Sequence, residues 1–136
     1  MHTLGTFAPA AAAEARAQYD LAGPAAQTAV REVAKAMTFD REEYAERVTS
    51  EVVETARDAI FASLLEVTVG SREEYLQWRD EHGGEVVEIG NENVDNVVWH
   101  VGPGEEAVSA TFQHEEEAAV ATLRRQAFGR LYRDLV

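Results

Sequence analysis

The apolar residues of this chain change their spacing twice along its length, and that pattern restricts the available folds more than any other feature. As far as Leu65 they recur at the three-to-four-residue interval of amphipathic helices. From Glu66 to Gln113 they fall mostly in short alternating runs set off by glycines, and from Glu115 the helical interval returns. Segregated helical and strand-bearing stretches of this kind predict an α+β fold. At 136 residues the chain has length for one core but not two, so 1–136 is read as one domain, helical at about 9–65 and α/β at about 66–136.

Local signals place the elements. Pro9 suits the first turn of a helix running to about Ala22, where Gly23-Pro24 predicts a stop and a second helix ending near Met37. Alanines on both segments suggest a close helical hairpin. Asp40 and Glu43 form a capping-box pattern, with Phe39 positioned to staple onto Tyr44, and the stripe through Val48, Val52, Ala56 and Ile60 predicts one long helix of roughly 39 Å to Leu65. A short strand at Glu66–Val69 follows. A second capping box, Ser71 with Glu74, opens a helix that ends at His82 before Gly83-Gly84. Runs at Glu85–Ile89, Val94–Val101 and Ala107–Gln113, separated by turn-forming residues, predict a three-stranded antiparallel meander. Val97, Trp99 and Val101 would then share a core face, as would Val108, Ala110 and Phe112. The closing helix, Glu115–Leu135, packs on this sheet.

Several chemistries are excluded by composition. Without cysteine there is no disulfide, zinc–thiolate site, iron–sulfur cluster or nucleophilic thiol. The N-terminus lacks the layout of a secretory signal and no apolar run is long enough to span a bilayer, so a cytoplasmic location without membrane attachment is the expectation. Asp and Glu number 25 against 12 Lys and Arg, and Lys35 is the one lysine. Carboxylates hydrate strongly and arginine replaces the long apolar stem of lysine, a surface suited to concentrated salt, although a GC-rich genome would also favour arginine. With a Debye length of about 3 Å at 1 M salt, the net charge would not steer a distant partner.

Arg124 is the most informative single residue. Val120, Leu123, Ala127, Phe128, Leu131 and Leu135 form one apolar arc of the last helix, and Arg124 falls within it. Its planar fork of donors would clamp a carboxylate or phosphate; the plainer reading is an internal ion pair to a glutamate or a side chain reaching the rim. His100 lies opposite Trp99, where Ser109, Thr111 and Gln113 would complete a polar patch with His100 as base or ligand-orienting group. The plainer reading there is the solvent face of a small sheet. Arg125, Arg130 and Arg133 scatter around the helix as its dipole favours, which argues against nucleic-acid binding. His82, His100 and His114 match no metal motif, and Gly102-Pro103-Gly104 lacks the lysine and helix of a phosphate loop.

The stretches Arg31–Met37, Glu51–Ala59, Ala110–Gln113 and Leu123–Arg130 resemble a family of uncharacterised small acidic proteins of halophilic archaea, over nearly the whole chain. That resemblance implies a salt-filled cytoplasm and transfers no activity or site residue. The functional expectation is therefore a non-catalytic cytoplasmic protein, interacting or regulatory, that binds a protein partner or itself and needs no cofactor. Its rival is a small-molecule-binding protein or enzyme using Arg124, His100, Thr111 and Gln113.

Overall fold

A computed structural model describes residues 1–136 and shows an α+β fold. Five helices, α1 (Ala12–Ala36), α2 (Arg41–Arg47), α3 (Ser50–Ser63), α4 (Arg72–Glu81) and α5 (Glu116–Ala127), accompany five strands. The strands are β1 (His2–Leu4), β2 (Val67–Ser71), β3 (Val86–Ile89), β4 (Asn96–Val101) and β5 (Ala107–Phe112). They form one mixed sheet in the order β1-β2-β4-β5-β3.

The β4–β5 hairpin forms as expected, but the meander does not. β3 pairs parallel with the far side of β5, and β2 takes the other side of β4. The reason is visible in side chains. Val97, Val98 and Trp99 are all buried, so β4 is apolar on both faces and must lie inside the sheet. β3, with exposed Val87 and Glu88, suits an edge. A single polar face of β4, as the alternation suggests, is not what folds. Val98 and His100 point to a core shared with α1, α3 and α5, while Val97 and Trp99 pack with Tyr75 on the α4 side. Gly70 permits that second layer, because a Cβ there would lie 3.0 Å from Trp99 Cη2.

Two helix boundaries also differ. α1 starts after Pro9 and runs unbroken through Gly23-Pro24, where the sequence predicts a break. An internal proline removes a helical hydrogen bond and crowds the preceding turn. Here Arg57 of α3 occupies that turn, its Nε donating to the Tyr19 carbonyl at 2.9 Å and its guanidinium carbon 3.5 Å from the place of a Gly23 Cβ. Tertiary packing along buried Ala15, Ala22, Ala26 and Ala34 thus holds both halves in line.

The long helix predicted to Leu65 breaks instead at Val48–Thr49. Asp40 accepts from the Glu43 amide as expected, but the Thr49 hydroxyl caps a new helix by accepting from the Val52 amide at 3.3 Å. The Ser71–Glu74 capping box forms in both directions, with bonds of 2.9 and 3.1 Å, and fixes the start of α4. Phe61 sits at the centre of the larger core, its ring within 5.8 Å of the rings of Phe7, Tyr19, Phe128 and Tyr132. No helix is long and apolar enough to cross a membrane.

Candidate functional site

Arg124 and His100 converge on one short piece of backbone, the junction between α3 and β2. Arg124 Nε donates to the Leu65 carbonyl at 3.0 Å, and His100 Nδ1 to the next carbonyl, that of Glu66, at 2.6 Å. The N-terminal segment holds the same junction. Thr6 and Phe7 amides donate to the Leu64 carbonyl at 3.1 and 2.9 Å, and the Glu66 amide donates to Phe7 at 2.8 Å. Gly5 makes this approach feasible. Its φ of +98° is in the region favouring glycine, and a Cβ there would meet Leu65 O at 2.5 Å and Arg124 Nη2 at 2.8 Å. Arg124 makes no ion pair to a glutamate; a backbone carbonyl takes that place.

His100 is 1% exposed. Because a carbonyl only accepts, Nδ1 carries the proton, and Nε2 accepts from the Tyr132 hydroxyl at 2.6 Å. Both ring nitrogens are therefore satisfied in the neutral state. Burial pushes the imidazole below its ordinary pKa, opposed by the bond to Glu66 and reinforced by the Arg124 charge. Burial also raises the Tyr132 phenol. Neither group reaches solvent, and His100 does not lie on the open side of a sheet.

The polar patch expected around His100 separates in three dimensions. Cross-strand partners share a face, and Ser109 pairs with Trp99 and Thr111 with Val97, so both hydroxyls point away from His100. Gln113 follows β5, exposed, with its carbonyl accepting from Asn96 Nδ2 at 2.9 Å. Ser109 and Thr111 instead line an open cavity of about 670 Å³ beneath α4. There the Tyr75 hydroxyl donates to Glu88 at 2.6 Å, which leaves Ser109 to donate to the Tyr75 oxygen at 3.0 Å. Arg79 grips both Glu88 oxygens at 3.0 and 2.8 Å.

Burial first, then the Glu88 bond, pushes Tyr75 up to about 12. Glu88 is held below the usual carboxylate range by the Tyr75 bond and Arg79, against the opposing effect of burial. Its charge is thus committed to internal partners. Arg72 is likewise engaged, bonding the Val94 and Asn91 carbonyls at 2.8 Å each. The arrangement ties α4 to the sheet, with Tyr75, Ser109, Glu88 and Arg79 committed to one another. His82 stacks on Trp78 and donates through Nε2 to the Glu105 carbonyl at 2.6 Å.

The profile of a family described as being of unknown function, DUF5809, matches residues 6–133. The chain belongs to this family. No curated protein and no solved structure matches it. The DUF5809 match begins just beyond β1 and Gly5 and includes every residue of the polar networks described above.

Tyr132, Tyr75, Glu88, Arg79 and Arg72 are network members that the sequence alone does not single out. Tyr132 carries a usable signal, because in the closing helix it lies beside the apolar arc, where a phenol hydroxyl requires a partner. Tyr75 reads from its helix only as a packing residue, and nothing local links it to Glu88.

Proposed function

We propose that this DUF5809 member is a non-catalytic interaction protein that docks on a protein surface through the outer end of its α1–α3 helical arm. One observation carries the proposal. Val33 and Met37 lie on one side of the buried Ala34 at the outer end of α1, about one turn apart, and are 57% and 58% exposed. Val52 at the start of α3 and Tyr44 on α2 are also exposed, at 42% and 39%. Apolar side chains grouped at the edge of a buried stripe but lacking cover mark a surface that a partner would complete. The internally satisfied networks around His100 and Tyr75 support a role without catalysis. The acidic, lysine-poor surface supports a concentrated-salt cytoplasm as the setting.

The absence of native cysteine makes a direct test available. Met37→Cys and Val52→Cys, each carrying a photoactivated cross-linker, are expected to trap a discrete adduct in molar potassium chloride, either a second copy of the chain or a heterologous protein. Val33→Glu combined with Met37→Glu should abolish the adduct formed from Val52→Cys without lowering thermal stability. Equal labelling from a Gln113→Cys control would overturn the proposal, as would an adduct indifferent to the double substitution.

A further inference from the structure

Between α3 and α5 lies an open cleft of about 490 Å³, distinct from the outer end of the arm. Arg124, Arg125 and Arg133 line it, with Ala59, Ala62 and Phe128 supplying apolar wall. Its one carboxylate, Asp58, has Oδ1 engaged by the Tyr19 hydroxyl. Three guanidinium groups against one carboxylate make this a cationic enclave on a chain of net charge -13. Three cations elsewhere are paired with carboxylates, Lys35 with Glu32, Arg57 with Asp20 and Arg79 with Glu88. Arg124, Arg125 and Arg133 are among the arginines without an ion pair, but they alone share one cleft, and Arg124 has only its Nε committed, to the Leu65 carbonyl.

The helix dipole accounts for arginines late in α5 but not for their convergence. In a continuous α-helix Arg125 and Arg133 would be turned about 80° apart. The chain instead makes a wide π turn at Phe128–Tyr132, closed by the Arg133 amide donating to the Phe128 carbonyl at 2.9 Å. That wider turn brings Arg133 back toward the side of Arg125, with its guanidinium 5.5 Å from the Phe128 ring centroid. Such turns recur at functional sites because they re-aim side chains in this way.

We infer that this cleft binds a small organic anion, a carboxylate or phosphate on a short apolar body, with the arginines holding the anion and Phe128 and the alanines its body. The volume suits a small ligand, and planar guanidinium groups match both anions. A polyanion would have to extend from the cleft onto the surrounding acidic surface.

The test is titration of the isotope-labelled full-length protein, at fixed potassium chloride, with benzoate, phenyl phosphate and inorganic phosphate in turn. Backbone amide and arginine Nε–H resonances report binding. Saturable shifts confined to Arg124, Arg125, Arg133 and Ala62 are expected with benzoate or phenyl phosphate, and whichever binds tighter identifies the anion. Because Arg124 also supports the fold, the variants are Arg125→Gln with Arg133→Gln, expected to weaken binding by about tenfold or more. Ala121→Trp, at an exposed position on the cleft wall, should block it, while Arg130→Gln should leave it unchanged. Shifts that merely follow ionic strength, binding indifferent to these substitutions, inorganic phosphate binding as tightly as phenyl phosphate, or tighter binding of a single-stranded oligonucleotide would each overturn the assignment.

Discussion

His100 and Tyr132 share a 2.6 Å hydrogen bond in a region where the histidine is 1% and the tyrosine 0% exposed. Removing the phenol hydroxyl leaves a buried ring nitrogen without a donor. Tyr132→Phe is therefore expected to lower unfolding free energy by about 1–3 kcal/mol, read from urea denaturation near neutral pH.

The same pair makes stability depend on pH. The folded imidazole has a depressed pKa, so below the ordinary histidine value of about 6.5 the unfolded chain binds the proton that the folded chain resists. Stability contributed by neutral His100 is present above that value and is lost as pH falls toward the folded pKa. Subtracting the pH profile of His100→Gln from that of the parent isolates the effect from other titrating groups. A flat difference between neutral pH and pH 5 would contradict it.

Gly5 and Gly129 should respond to alanine with opposite signs. Gly5→Ala forces a side chain into positive φ and against the Leu65 carbonyl, and should lose about 1–3 kcal/mol or more. Gly129 has no positive φ, and outside its own helical turn nothing lies within 4 Å of the place its Cβ would take, so Gly129→Ala should gain about 0.5–1 kcal/mol. Thermal melts of both variants measure the contrast.

Phe61 joins α3 to the N-terminal segment, to α1 and to the end of the chain, so we propose that residues 1–136 unfold as one unit. Phe61→Ala should cost about 3–5 kcal/mol. Fluorescence of the stacked Trp78 and Trp99, on the opposite face of the sheet, should change at the same denaturant concentration as helical circular dichroism in parent and variant alike. Two separated transitions would show independent parts.

Repulsion among the excess carboxylates acts on the compact state and weakens as salt screens it. The unfolding midpoint is expected to rise from dilute buffer to molar potassium chloride. An unchanged midpoint in calorimetry would contradict the proposed high-salt setting.

The sequence is most legible where a few neighbouring residues determine structure. Ser71 and Glu74 satisfy each other's amides, so the start of α4 can be read directly, and β4 with β5 follows from two runs joined by a tight connection. It is least legible where a distant side chain decides. Nothing near Pro24 reveals that Arg57 will support its turn, and nothing in β3 reveals that its partner is β5. The open face expected for His100 depends on β4 alternating. The uninterrupted run Val97-Val98-Trp99-His100-Val101 is the contrary signal, since a strand buried on both sides need not alternate. Arg124 can be placed in an apolar arc from its helix alone, but its carbonyl partner at Leu65 is 59 residues away.

The strand order also sets a schedule for assembly. β1 and β3 each leave the ribosome before their neighbours β2 and β5, and β2 must wait for β4. Only β4 and β5 pair locally, which makes their hairpin the natural seed and leaves the sheet incomplete until Phe112 has been synthesised. The helical arm can form before β4 and β5 exist, but the β1–β2 and β3 sides of the sheet are joined only once that hairpin is present.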